Sequence, residues 1–286
     1  MAPDIWFPYL GIELFTVNRI AFTVFGIGIH WYALLIISGI MAGYGTAVME
    51  AKRSGQNKED YSDLLMVGVI SAIIGLRLFY VIFNWDIYRH DPIRIATGIR
   101  EGGLAIFGGI IASIIAVYVF SRVRKLNVWT ILDTCAPSFA IGQAIGRWGN
   151  FVNREAFGGF TESIFAMRIV MDQTHMPLTE EIWANSVIYH GVEYIQVHPT
   201  FLYESLWSLA IFAILVAYRP KKRFNGEIFW LYLLGYGFAR FFIEGLRTDQ
   251  LMMGTLPISQ ALAAFIFAAA IAAIVLQKSL AGRMRY

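Results

Sequence analysis

Long apolar segments alternate with short polar ones along almost the whole chain. Seven segments approach the roughly 20 residues that a helix needs to cross a bilayer. They are residues 30–48, 64–83, 103–120, 128–148, 201–218, 228–243 and 258–276. The fourth is the least hydrophobic, because it carries Asp133, Pro137 and Gln143. The pattern predicts an all-α polytopic membrane protein of about seven transmembrane helices, with residues 1–286 as a single transmembrane domain. Residues 3–28 are aromatic and mixed in polarity and are expected at the outer membrane interface. Residues 150–198 are too long for a simple turn. They carry acids and aromatics and are expected to form a small extracytoplasmic head.

Composition supports the membrane reading. Apolar types make up 57% of the chain and charged types 15%, against about 45–50% and about 25% in a soluble domain. Mean hydropathy is +0.57. A single cysteine, Cys135, excludes an intrachain disulfide. Met1–Leu10 lacks a basic n-region and a small-residue cleavage site, so no cleavable signal peptide is expected.

The net charge of +3 matters less than its distribution. Of the 23 basic residues, 13 lie after the first and seventh segments and in the loops that follow the third and fifth, and all the lysines are among them. By the positive-inside rule these loops are cytoplasmic. The N-terminus is then outside and the C-terminus inside.

The remaining ten basic residues are all arginines: Arg19, Arg77, Arg89, Arg94, Arg100, Arg147, Arg154, Arg168, Arg240 and Arg247. A charge at the centre of a spanning helix costs about 2.5–3.5 kcal/mol on insertion scales. Arg77 lies about seven residues, or roughly 10 Å, from the outer end of its segment, and Arg240 lies in the outer half of its own. Arg147 is near the outer end of its own. Guanidinium forks suit phosphate oxygens, so an arginine cluster there is expected to receive an anionic head group from the outer leaflet. The plainer reading is internal pairing: Arg240 with Glu244 and Glu244 with Arg247 at helical spacing, and Glu155 or Glu204 with Arg147.

Five clusters carry the chemistry. Gly142–Gly159 combines a Gly142/Gly146 face for close helix approach with Arg147, Asn150, Asn153 and Glu155 and with Gly149, Gly158 and Gly159. His198–Glu204 opens the fifth segment with a Pro at a helix start. It puts His198 at the outer interface as a candidate base and Glu204 within the membrane. The others are Gly235–Arg247, Glu101–Gly109, and His30 with Trp31 and Tyr32. No zinc spacing, P-loop or nucleophile elbow occurs. No metal, cofactor or nucleic acid is therefore expected, and a reaction has to take its nucleophile from a substrate or from water.

These clusters resemble the bacterial prolipoprotein diacylglyceryl transferase family. Gly146–Gly158 resembles its signature, Gly-Arg-x-Gly-Asn-Phe-x-Asn-x-Glu with a following glycine. His198-Pro-x-x-x-Tyr203-Glu204, Gly235-Tyr236-Gly237-x-x-Arg240, His30-Trp31-Tyr32 and the glycine pairs at 102–103 and 108–109 match in the same order. The resemblance implies a multi-pass enzyme of the bacterial cytoplasmic (inner) membrane whose active site faces the outer leaflet. Such an enzyme moves a diacylglyceryl group from phosphatidylglycerol to the lipobox cysteine of a prolipoprotein signal peptide. A thioether forms and glycerol phosphate leaves. By position, Arg147 and Arg240 would bind the phosphate and stabilise the departing charge. Asn150, Glu155 and Gly158 would shape the site, and Tyr32, Tyr236, Glu204, Glu244 and Arg247 would support it, with Arg77 a further arginine of the cluster. The chain departs from the pattern at Phe107, where many members carry a histidine regarded as a base. His30 and His198 are the substitute candidates, unless the arginines alone lower the thiol pKa enough.

Two other readings compete. A retinal protein needs a lysine in the seventh segment, and there is none. A transporter or channel for an anionic substrate also uses buried charge, but favours a midplane site with broken helices and repeats, neither of which is clear in this chain.

Overall fold

A computed structural model describes residues 2–98, 102–250, 252–254 and 256–283. Arg100, Glu101 and Arg285 lie outside the described residues. A long helix falls on each predicted apolar segment: α1 (Trp31–Arg53), α2 (Lys58–Phe83), α3 (Ile106–Val123), α4 (Val128–Asn153), α5 (Thr200–Tyr218), α6 (Glu227–Leu246) and α7 (Ile258–Arg283). Among the described residues, α1, α2, α3, α5 and α7 are long and apolar enough to cross a membrane. Helices α4 and α6 are less apolar because they carry Asp133, Gln143 and Arg147 in one and Glu227, Arg240 and Glu244 in the other. The protein is mostly helical and polytopic.

Local signals set the helix ends. The Asn57 side chain accepts a hydrogen bond from the Glu59 amide at 3.1 Å and caps α2. Glu59 and Asp60 add negative charge in its first turn, where the helix dipole favours it. Gly226 supplies the left-handed residue (φ 96°) that turns the chain into α6.

The chain divides into two compact units, Met1–Gly43 with Cys135–Tyr286, and Tyr44–Thr134, the boundaries falling within α1 and α4. In the smaller unit α2 and α3 meet backbone to backbone at Gly75 and Gly108, where a Cβ on either would strike the other's carbonyl oxygen. In the larger unit α1 and α4 approach just as closely. A Cβ on Gly39 would lie 2.9 Å from the Gly142 carbonyl oxygen, and one on Gly43 3.0 Å from that of Ser138. This is the small-residue face expected from Gly142. Helices α4, α5 and α6 share a core of Ala136, Ala140, Ile211, Leu215, Ile228 and Tyr232. The Ser205 hydroxyl donates to the Ala144 carbonyl (2.8 Å) and accepts from the Trp148 indole (3.2 Å), tying α5 to α4.

The expectation of an all-α chain is corrected by a five-stranded antiparallel sheet in the larger unit. Its strands are β1 (Ile5–Phe7), β2 (Ile12–Leu14), β5 (Met167–Val170), β6 (Val187–Tyr189) and β7 (Val192–Val197), in the order β2-β1-β5-β7-β6. Strands β3 (Ile20–Val24) and β4 (Ile27–His30) form a separate hairpin leading into α1. Side chains alternate across a strand. Ile5, Phe7, Met167, Ile169, Ile195 and Val197 therefore share one buried face, packed on Phe157 and Phe201. Trp6, Arg168 and Gln196 share the other: Arg168 lies 4.6 Å over the Trp6 ring and donates to Gln196 at 2.8 Å. The N-terminal stretch thus contributes strands to this sheet, with Ile5 opposite Ile169.

Ile5 is fully buried, whereas Ile12 is exposed. Ile5→Ala should therefore destabilise the head by about 2–5 kcal/mol, seen as a lower thermal midpoint and faster proteolysis between residues 150 and 198. Ile12→Ala should leave both unchanged. Equal behaviour of the two variants would mean that β1 is not part of the head's core.

Candidate active site

The end of α4 brings Arg147, Asn150 and Asn153 onto its last turns. Arg154 (φ 56°) and Ala156 (φ 57°) then take left-handed conformations, and the chain folds back. Glu155 comes to lie beneath the helix end, its Oε1 accepting from Asn150 Nδ2 at 2.9 Å and from Asn153 Nδ2 at 3.3 Å. Arg147 Nη1 donates to Asn150 Oδ1 at 3.4 Å. The Tyr32 ring lies against this turn: a Cβ on Gly149 would be 2.7 Å from its Cδ2.

The next two glycines join three segments. The Gly158 amide donates to the His198 carbonyl (3.0 Å), the His198 amide to the Gly159 carbonyl (3.0 Å), and the Gly159 amide to the Leu246 carbonyl (2.8 Å). A Cβ on Gly158 would sit 2.8 Å from His198 Cβ and from the Leu246 oxygen. The start of α5 and the end of α6 are thereby fixed against the loop that leaves α4.

Glu204 lies at the centre of the result. Its Oε2 meets Arg147 Nη2 at 2.6 Å and Arg240 Nη1 at 3.1 Å, and its Oε1 faces Arg247 Nη1 at 3.8 Å. The carboxylate side chain is 7% exposed. Arg240 also pairs with Glu244 on its own helix, as the four-residue spacing predicts. Arg247 does not take the partner expected of it. It forms a bidentate pair with Asp249, Nε to Oδ1 at 2.9 Å and Nη2 to Oδ2 at 2.6 Å. Burial works against the charge of Arg247, but Asp249, with Glu204 and Glu244 nearby, more than offsets it and raises its pKa. Asp249 escaped the sequence reading because an acid two residues after an arginine, just past a helix end, follows no periodicity. Gln143, Arg147, Glu204, Trp207, Tyr236 and Arg240 are among the residues lining a cavity of only about 20 Å³.

Other expected site residues lie elsewhere. Arg77 belongs to the smaller unit. Its guanidinium donates to the carbonyls of Arg94 (2.7 Å), Ile95 (2.8 Å), Gly102 (3.0 Å) and Gly103 (3.1 Å) and lies over the Tyr88 ring. These bonds occupy the fork that an anion would need and tie down a loop, so the reading of Arg77 as a ligand-binding arginine gives way to a structural one. Phe107 is the second residue of α3 in that unit. His30 ends β4 and lines a groove of about 600 Å³ with Arg19, Arg154, Asp172 and His175, not the arginine cavity. His198 sits just before α5, its Nδ1 at 3.3 Å from the Tyr203 hydroxyl. Burial lowers its pKa, which favours the neutral imidazole.

Fold and site together describe a membrane protein with a cluster of arginines drawn from two helices and a helix end and held in place by acids. Residues 19–276 match the family model described as prolipoprotein diacylglyceryl transferase. Similar proteins include the phosphatidylglycerol–prolipoprotein diacylglyceryl transferases of Clostridium novyi (44% identical over 85% of this chain and 89% of the relative), Enterococcus faecalis (42%, over 92% and 91%) and Bacillus mycoides (40%, over 92% and 93%). The chain belongs to the prolipoprotein diacylglyceryl transferase family and is a multi-pass membrane protein.

The two glycines of the joint make a sharp comparison. A Cβ at Gly158 has no room, whereas one at Gly159 meets nothing within 4 Å. Gly158→Ala should lower stability by about 1–3 kcal/mol and shift the thermal midpoint down, with Gly159→Ala unchanged. A Gly158→Ala protein as stable as the parent would show that the joint is looser than the packing indicates.

Proposed function

We propose that this protein transfers the diacylglyceryl group of phosphatidylglycerol to the lipobox cysteine thiol of a prolipoprotein, forming a thioether and releasing glycerol phosphate. The relatives carry that activity in their names. The observation that carries the reading is the convergence of Arg147, Arg240 and Arg247 on one carboxylate. A centre that holds an anion among three guanidiniums is chemically suited to a phosphodiester.

In this reading all seven long helices cross the bacterial cytoplasmic membrane as one domain, the N-terminus lies outside, the C-terminus lies in the cytoplasm, and residues 150–198 form the extracytoplasmic head. The arginine centre faces the outer leaflet. Phosphatidylglycerol enters from the bilayer and its phosphate docks on Arg147 and Arg240. Asn150 and Glu155 orient Arg147, and Glu244 orients Arg240. Gly158 keeps the three segments together, while Tyr32, Tyr236 and Arg247 close the site around the glycerol. The signal peptide presents its thiol to the glycerol carbon that bears the phosphate. As the carbon–oxygen bond breaks, charge grows on the phosphate and the two guanidiniums stabilise it. Glu204, Arg147 and Arg240 thus lie where lipid, thiol and leaving group meet. The thiol proton needs an acceptor. His30 and His198 are the histidines proposed for it on sequence grounds, although neither lines the arginine cavity.

Anion transport, the rival reading, has no support from the family match. One assay separates the two. Purified protein, phosphatidylglycerol and a lipobox peptide are mixed and the peptide is weighed by mass spectrometry. A gain of one diacylglyceryl group is expected, and none when the peptide cysteine is replaced by serine. Arg240→Ala should lower the rate at least about 100-fold, and Arg240→Lys should recover only part, since it keeps the charge without the fork. A folded Arg240→Ala protein with full activity would remove the phosphate-binding role.

A further inference from the structure

The arginine centre is closed to the ligand it is built for. Its cavity of about 20 Å³ has room for about one water molecule, far less than a phosphate requires. The space between the guanidiniums is taken by the Glu204 carboxylate. The charge balance is closed as well. Arg147, Arg240 and Arg247 are matched by Glu204, Glu244 and Asp249, with Glu155 a fourth acid reached through Asn150. An incoming phosphodiester anion would leave the buried centre with excess negative charge unless one acid gives up its cations and takes a proton.

We infer that Glu204 is that acid: its carboxylate occupies the phosphate's place at rest, is displaced when the lipid binds, and accepts the proton of the substrate thiol. Glu204 stands apart from the other acids. Glu244 stays with Arg240 on the same helix face and Asp249 with Arg247 in a two-point bond. Glu155 is held by two asparagine amides. Glu204 lines the cavity and contacts arginines of two other helices, and its Oε1 accepts no hydrogen bond from the described residues. The groups facing it are Arg147 from α4, Arg240 and Tyr236 from α6, and Arg247 beyond α6.

The step balances. The phosphate oxygens take over Arg147 and Arg240. The Glu204 carboxylate, released by those two arginines and left with only the more distant Arg247, takes the proton from the thiol. Sulfur forms a bond to the glycerol carbon, and the carbon–oxygen bond breaks with its electron pair going to the phosphate. The proton then passes from Glu204 to the leaving phosphate, and the carboxylate returns to its arginines. Base and counter-ion are the same group.

This inference rests on the transferase reading, and one set of measurements separates their failures. Glu204→Gln keeps the shape and cannot take the proton. It should still bind phosphatidylglycerol, measured as lipid retained on the purified protein, while transfer at pH 7 falls by about 100-fold or more. Its residual rate should climb about tenfold per pH unit toward the thiol's own pKa of about 8.5, with a flatter profile in the parent protein. Transfer at the parental rate, an unchanged pH profile, or loss of lipid binding together with transfer would each overturn the role. So would a Glu204→Gln protein of full activity beside a His30→Ala or His198→Ala protein of none. Should the glutamine variant not fold, Glu204→Asp keeps the acid and should retain measurable transfer with the parental profile. A folded, lipid-binding aspartate variant that transfers nothing would overturn the inference. A parent protein that adds no diacylglyceryl group to the peptide overturns the transferase reading itself.

Discussion

The larger unit depends on a carboxylate that pairs with arginines from beyond its own helix. Glu204 is 7% exposed and touches Arg147 and Arg240, with Arg247 slightly farther off. Placing these charges in the membrane would cost about 2.5–3.5 kcal/mol each if they stood alone. Paired, they cost far less, and the pairing dictates where α4, α5 and α6 must stand. Removing one partner of such a buried set costs about 3–5 kcal/mol, because the charges left behind have no solvent to turn to. The low apolarity of α4 and α6 has the same origin. Each spends part of its length on charges, met by a neighbouring helix at Glu204 and, for Arg240, also by Glu244 on the same helix.

Close backbone approach, which glycine permits, also shapes the larger unit. At Gly39 and Gly142 two helices approach where a Cβ would be 2.9 Å from a carbonyl oxygen. At Gly158 the loop after α4 hydrogen-bonds to the start of α5, and at Gly159 to the end of α6. The glycine joint and the charged cluster lie at the same segment ends, the exit of α4, the start of α5 and the end of α6.

The helices were legible in the chain because apolar runs of about 20 residues have few other uses. The head sheet was less so, although the alternation in Met167–Val170 and Val192–Val197 carries a strand period. Its strand β1 comes from residues 5–7 and pairs with residues 168 and 169, a union across the whole larger unit that no local pattern announces. Of the centre, Arg240 and Glu244 could be read from helical spacing and Glu204 from the need to neutralise Arg147, whereas Glu155 bonds to Asn150 and Asn153 instead. That a single acid, Glu204, serves two helices at once could not be read, since it follows from tertiary placement. Arg77 shows the opposite error. Its depth in an apolar segment marked it as functional, but backbone carbonyls of the loop around Ile95 and Gly103 satisfy a buried guanidinium as well as a ligand would.

A centre neutralised by its own acids gains selectivity from that neutrality. Free guanidiniums at a membrane surface would attract any passing phosphate. With the space between them filled by a carboxylate, a weakly held anion cannot compete, because binding must repay the loss of two short ion pairs. Phosphatidylglycerol can offer more than charge, since its acyl chains remain in the bilayer and hold the head group at high effective concentration near the site. In the proposed scheme the same displacement prepares the chemistry. The carboxylate becomes a proton acceptor only after the phosphate has taken its cations, so the thiol is not activated while the lipid is absent. Binding order and base strength are then set by one exchange of partners at Arg147 and Arg240.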